Sequence, residues 1–124
     1  MGWTFQNDRP IYAQLMEQIK RRIISGIYPP GEKMPSVRDL ASEASVNPNT
    51  MQRAFAQLEQ EGLLYTQRTS GRYVTEDEGR ILQMKEDLAK ELTESYFAAM
   101  EQLGYSRVQA VKLIAEAEKE GKAL

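Results

Sequence analysis

Ile11, Leu15, Ile19 and Ile23 stand four residues apart, with Tyr12, Met16 and Ile24 beside them. That spacing lays a broad apolar stripe along one side of a helix. Pro10 suits the first turn and Gly26 the left-handed stop, so a helix is predicted from Pro10 to about Ser25. Tyr28-Pro29-Pro30-Gly31 then reads as a turn. A second helix opens at Ser36-Val37-Arg38-Asp39, which has capping-box spacing with Asp where Glu or Gln is more usual. Val37, Leu40, Ala41 and Ala44 give it an apolar face, and Asn47-Pro48 must interrupt it. Asn47 is also a natural N-cap and Pro48 a natural first helical residue, so a third helix starts there. Met51, Ala54, Phe55 and Leu58 mark its buried side, and Gly62 ends it.

Leu63 to Gln67 and Arg72 to Thr75 are short β-prone runs around Arg68-Thr69-Ser70-Gly71, a hairpin with a glycine-bearing loop. Thr75-Glu76-Asp77-Glu78 is a second capping-box candidate, with acids well placed for the helix dipole. The helix that follows is predicted from about Glu76 to Leu103, roughly 40 Å at about 1.5 Å per residue. Ile81, Met84, Leu88, Leu92, Tyr96, Met100 and Leu103 form its stripe. Gly104-Tyr105 breaks it, and Ser106 with Gln109 caps a last helix carrying Val108, Val111, Leu113, Ile114 and Ala117. Two short helices across a tight turn make a helix-turn-helix, and the hairpin adds a wing. The predicted fold is mostly α: a winged helix-turn-helix of three helices plus a β-hairpin (residues 1–75), then a two-helix dimerisation tail (residues 76–124).

Composition narrows the function. The 124 residues are 41% apolar and 27% charged, as in ordinary globular domains. The absence of cysteine excludes disulfides, iron–sulfur clusters and thiol catalysis. The absence of histidine removes the commonest general base and the commonest zinc ligand together. No catalytic residue, metal site or cofactor is expected. No apolar run approaches ~18 residues, and residues 1–10 carry no signal-peptide core, so a cytoplasmic protein without a membrane partner is expected. The net charge of −2 conceals an asymmetry. Residues 1–76 hold nine Lys/Arg against eight Asp/Glu, whereas residues 77–124 hold seven against ten. The two halves therefore differ in sign.

A family resemblance covers residues 9–75 densely. It runs through Pro10-Ile11-Tyr12 with Gln14-Leu15, then Gly31-Glu32-Lys33-Met34-Pro35-Ser36-Val37-Arg38-Asp39-Leu40-Ala41. It continues through Val46-Asn47-Pro48-Asn49-Thr50-Met51-Gln52-Arg53-Ala54-Phe55, Leu58-Glu59-Gln60-Glu61-Gly62-Leu63 and Ser70-Gly71-Arg72-Tyr73-Val74. In these residues the chain resembles the GntR family of bacterial transcriptional regulators, and within it the short-tailed YtrA type. The resemblance implies a DNA-binding dimer, with the third helix in the major groove and the wing tip near the minor groove. It implies DNA contacts from Arg38 and Thr50, and control of a neighbouring transporter operon. Many family members carry arginine where this chain has Pro48 and Gln52, so arginine contacts do not carry over to those two positions.

The residues themselves point the same way. With Met51, Ala54, Phe55 and Leu58 buried, the third helix offers Asn49, Thr50, Gln52, Arg53 and Gln57 outward. Amides suit the edge of adenine, and arginine suits guanine or phosphate. Each alone is an ordinary solvated side chain; the helix-turn-helix setting gives the set its meaning. Ser36 and Asn47, as caps, stand where helix N–H groups favour phosphate. Arg38 could instead pair with Asp39 or with an acid near Glu43. Arg68, Thr69, Ser70, Gly71 and Arg72 form either a plain hairpin loop or a wing that meets the DNA backbone, with Arg72 suited to backbone charge. Asn47-Pro48 is structural first. The long helix cannot bury its stripe against one short partner, and a second copy gives a twofold interface. The predicted function is a homodimeric regulator, a repressor by steric occlusion, on a twofold-related operator in double-stranded DNA. The sequence names no small-molecule effector. A winged-helix adaptor that binds protein and not DNA is the alternative, because fold alone does not assign function. A hydrolase using Glu91 and Glu94 has no nucleophile beside it.

Overall fold

The computed structural model describes residues 2–123, with helix α1 at Ile11–Ile24, α2 at Val37–Ala44 and α3 at Pro48–Gln60. Strands β1 (Leu64–Gln67) and β2 (Gly71–Val74) follow, then α4 (Glu78–Gln102) and α5 (Arg107–Ala123). The chain divides into two compact units, residues 1–85 and residues 86–124.

Local chemistry sets the helix ends. The Ser36 hydroxyl accepts the Asp39 N–H at 3.0 Å, and the Asn47 side chain accepts the Asn49 N–H at 2.7 Å. Caps of this kind contribute about 1 kcal/mol each. Between α2 and α3 the chain turns through Ser45, whose φ of 57° is left-handed. Ahead of α4 the cap moves two residues inward from the predicted start. Thr75 Oγ1 accepts the Asp77 N–H and Asp77 Oδ1 accepts the Arg80 N–H, so the helix begins at Glu78 and not at Glu76. At α5 both arms of the capping box form: Ser106 N–H donates to Gln109 Oε1, and Gln109 N–H to Ser106 Oγ.

The first unit closes on one core. Leu15 and Ile19 of α1, Leu40 of α2, and Met51, Phe55 and Leu58 of α3 are almost wholly buried. Leu63, Leu64 and Val74 close it from the hairpin side. The hairpin register pairs Leu64 with Val74, Tyr65 with Tyr73, Thr66 with Arg72 and Gln67 with Gly71. Side chains alternate across a strand, so Leu64, Thr66, Arg72 and Val74 share the inner face. Residues 31–34, of which the sequence places only Gly31 in a turn, also bond along β2. Gly31 N–H donates to the Val74 carbonyl, Val74 N–H to that of Glu32, and Met34 N–H to that of Arg72. Prolines at 29, 30 and 35 keep this stretch too short to show alternation in sequence.

Along α1 the apolar stripe is offset from the prediction: Ile11 is exposed, while Gln14 and Arg22 are buried. An extended N-terminal arm accounts for both. Gln14 exchanges two hydrogen bonds with the Gln6 backbone and donates to the Arg9 carbonyl. Gln18 does the same with Thr4, accepting at 3.5 Å and donating at 2.7 Å. These two amides stand in for the peptide groups of a neighbouring strand. Further along, the Arg22 guanidinium lies 3.8 Å from the Trp3 ring centroid and donates to the Gly2 carbonyl. Burial pushes the nearby Tyr28 hydroxyl up, against the opposing charge of Arg22.

In the second unit, α4 and α5 meet through the Tyr96 hydroxyl, which donates to the Ala110 carbonyl at 2.8 Å. Arg107 stacks on Phe97 and pairs with Glu94 at 2.7 Å. Leu92, Leu103, Val108, Val111 and Ile114 remain exposed.

Candidate nucleic-acid interface

The candidate surface is built from the start of α2, the outer side of α3 and the hairpin tip. Helix α3 buries Met51, Ala54, Phe55 and Leu58. Its opposite side therefore presents Asn49, Gln52, Arg53 and Ala56, all exposed, with Thr50 half-buried. Arg38, in the first turn of α2, is exposed, as are Arg68, Thr69, Ser70 and Gly71 at the hairpin tip. Ser36 and Asn47 spend their side-chain oxygens on their own helix caps. The start of α2, the outer side of α3 and the hairpin tip thus offer three arginines and five planar or hydroxyl side chains.

Both flanks of α3 are held. On one side the Glu59 carboxylate takes the Thr66 hydroxyl and lies 3.7 Å from Arg72 Nε. On the other side Lys20 Nζ of α1 reaches Glu61 at 2.9 Å, and Gln57 donates to the same carboxylate. Arg80 Nε closes the helix end by donating to the Glu61 carbonyl. Partial burial works to raise the Glu61 carboxyl. The hydrogen bonds from Lys20 and Gln57, with the charges of Lys20 and Arg80, outweigh it and hold the group below its ordinary range. A helix fixed at both edges presents its outer side chains at a defined angle, which groove recognition requires.

Two expectations change. Arg72 does not point out from the wing: its register opposite Thr66 turns it inward, over the Phe55 ring at 5.5 Å and beside Glu59. The hairpin pairing that decides this is non-local, and the run of residues in the loop does not reveal it. In the tail stripe, Met84 is 3% exposed and covered within its own chain, so it is not free to meet a partner. Ile81, Leu88, Tyr96 and Met100 are half-buried, while Leu92 and Leu103 are exposed.

Several contributors were not foreseen. Lys33 lies under the wing tip, its Cε 3.4 Å from where a Gly71 side chain would begin, and Gly71 has a φ of +115°. A groove of about 530 Å³ runs between the start of α2 and the hairpin, past Ser36, Asp39, Arg68 and Arg72. Tyr12 of α1 lies under the Arg53 guanidinium, at 4.4 Å from ring centroid to Cζ. The Ser70 hydroxyl is 2.9 Å from that of Tyr73, which fixes the tip against its own strand.

Residues 11–74 match the model of the gntR family of bacterial regulatory proteins. The chain is 37% identical over 102 residues to the transcriptional repressor YtrA of Bacillus subtilis, covering 77% of this chain and 78% of that one. A solved GntR family transcriptional regulator from Listeria monocytogenes is 43% identical, with a TM-score of 0.81 over 93% of this chain and 98% of the other. The DNA-binding domain of AraR, solved in complex with an operator, is 29% identical, with a TM-score of 0.54 over 60% of this chain and 99% of that domain.

Proposed function

The chain belongs to the gntR family of bacterial regulatory proteins, in its short-tailed YtrA type, and from that premise we propose a sequence-specific repressor that binds a twofold operator as a homodimer. It is a DNA-binding transcriptional regulator and not an enzyme. It acts in the cytoplasm on double-stranded DNA; among the described residues no helix is long and apolar enough to cross a membrane. Residues 1–75 are read as the DNA-binding domain and residues 76–124 as the dimerisation tail. Repression is steric, with the bound dimer occupying promoter DNA that polymerase needs.

One observation carries this reading: α3, clamped at both edges, turns Asn49, Gln52 and Arg53 outward, and Arg38 at the start of α2 and Arg68 at the hairpin tip are exposed as well. Planar amides that donate and accept together match the adenine edge in the major groove. Arg38 and Arg68 add cations for the backbone, with Thr50, Thr69 and Ser70 as hydroxyl partners and the N–H groups behind Ser36 and Asn47 at the helix starts. Gly71 lets the wing tip approach DNA closely. Arg72 supports the wing from inside, which replaces its expected role on the phosphates. Dimerisation is assigned to the rest of the tail stripe, Ile81, Leu88, Leu92, Tyr96, Met100 and Leu103, joined by the exposed apolar residues of α5.

The test is selection of bound sequences from random duplex DNA, followed by titration of Gln52→Ala. A twofold consensus is expected. Gln52→Ala is expected to cost about 1–3 kcal/mol on that consensus and to relax preference at one base pair per half-site. Binding to random duplex changes little. Equal loss on every duplex would remove α3 as the base reader, and salt-insensitive binding would favour a protein-binding adaptor.

A further inference from the structure

We infer that Tyr12 is a positioning residue for DNA binding: its ring holds the Arg53 guanidinium at the α1 flank of α3, where it serves the DNA backbone and not a base edge. The inference rests on α3 being the DNA-binding helix. Arg53 is exposed and Tyr12 half-buried, and the guanidinium carbon lies 4.4 Å from the ring centroid. Such a stack uses the π faces of both groups and consumes none of the guanidinium's five N–H donors. It therefore restrains a long side chain while leaving its planar fork free for a phosphate, which accepts it in a bidentate manner.

Position decides between backbone and base. Residues four apart on a helix lie in one slanting row. The row through Arg53, Gln57 and Glu61 leads to α1, because Gln57 bonds Glu61 and Glu61 takes Lys20 of that helix. Asn49 and Ala56 lie near the centre of the open side, and Gln52 on the flank toward the wing, next to Glu59. In a helix-turn-helix the reading helix enters the groove, and its edges face the sugar–phosphate walls on either side. A cation anchored on α1 is therefore set over phosphates. Arg72 offers the contrast within the same unit: it too lies over an aromatic ring, that of Phe55, but its charge is turned to Glu59.

The experiment titrates the full-length chain and its Tyr12→Phe, Tyr12→Leu, Arg53→Ala and Tyr12→Leu/Arg53→Ala variants against the selected operator and a random duplex. Two salt concentrations are used, and thermal unfolding is followed in parallel. Arg53→Ala is expected to weaken both duplexes by the same factor and to lower the salt slope by about one per subunit. Tyr12→Leu is expected to weaken both by roughly two- to five-fold per subunit. Tyr12→Phe keeps the ring and matches the parent chain. In the Arg53→Ala background Tyr12→Leu adds nothing, because the two act as one unit. Additive losses, an equal defect in Tyr12→Phe, or a loss confined to one base pair would each overturn the inference. A parent chain that binds no duplex would defeat the DNA reading itself, and this inference with it.

Discussion

Every buried apolar side chain among the described residues lies in residues 1–85 except Ala110. Residues 86–124 contain helix of comparable regularity, yet Leu92, Leu103, Val108, Val111 and Ile114 are between 50% and 79% exposed. The first unit joins three helices and a hairpin around Phe55, and so buries its apolar surface within one chain. The second consists of one helix pair held by a hydroxyl–carbonyl bond and a surface ion pair. Helix pairs of this size leave apolar area that only a further partner can cover. Under the proposed function the difference separates a unit whose stability is its own from one whose stability depends on concentration. The same proposal gives the units two tasks: a rigid reading surface in the first, and assembly in the second.

The largest effect should come from the core of the first unit. Phe55→Ala deletes an aromatic ring that is 1% exposed and is expected to cost about 3–5 kcal/mol. The cost, read from denaturant unfolding, should be the same at every protein concentration. Ile114→Ala, on the exposed side of α5, should instead cost an amount that falls as the protein is diluted. If both costs were independent of concentration, the tail would not be an assembly surface and the comparison would fail.

A second way to break it acts on assembly directly. Leu92→Glu with Ile114→Glu should turn a particle of about 28 kDa, twice the chain mass of 14.1 kDa, into a monomer by sedimentation. Each half-site would then be bound separately, and operator affinity should fall about a hundredfold or more as the second contact ceases to be intramolecular. Near-ultraviolet signals from Trp3, in the first unit, should not change. A monomeric parent chain at micromolar concentration would overturn the assignment.

What could be read in the sequence differs between the units in the same way. Caps and turns are decided within a few residues, so Ser36, Asn47-Pro48 and the Ser106–Gln109 pair were visible before any fold was known. The buried sides of α2 and α3 followed from helical spacing, and the outward set on α3 followed from them. The features that escaped detection depend on partners distant in the chain. Gln14 and Gln18 are polar residues on a helix with an apolar stripe, and what they bond is backbone at Thr4, Gln6 and Arg9, which lies 5 to 14 residues away in the chain. Arg72 needed the hairpin register, and the pairing of residues 31–34 with β2 needed a third segment beside the hairpin. Met84 falls in the same stripe as Leu92, and the sequence treats them alike. The structure separates them because the early turns of α4 belong to the first unit.

The smallest effect concerns two ion pairs, one chosen from each unit. Lys20–Glu61 joins α1 to α3 with both side chains mostly covered, at 21% and 27% exposed, whereas Arg107–Glu94 is exposed at 64% and 63%. Exposed pairs contribute little, because solvent screens the charges and ordering the long side chains costs entropy. The Glu61 carboxyl is depressed in the folded chain, so its ionised form stabilises the fold above the unfolded carboxyl range near ~4.3. That contribution is lost as pH falls through the lower, folded value. Glu61→Gln should therefore lower stability at pH 7 by at most about 1 kcal/mol, with the gap to the parent chain closing below roughly pH 4. Glu94→Gln should leave the stability of the first unit unchanged at every pH. The measurement is thermal unfolding of the three chains from pH 3 to 7, read at Trp3, whose ring reports on the first unit through its stack with Arg22. A gap for Glu61→Gln that widened in acid would mean that its burial, and not its partners, governs the carboxyl. The edge of α3 nearest α1 would then be held by packing alone.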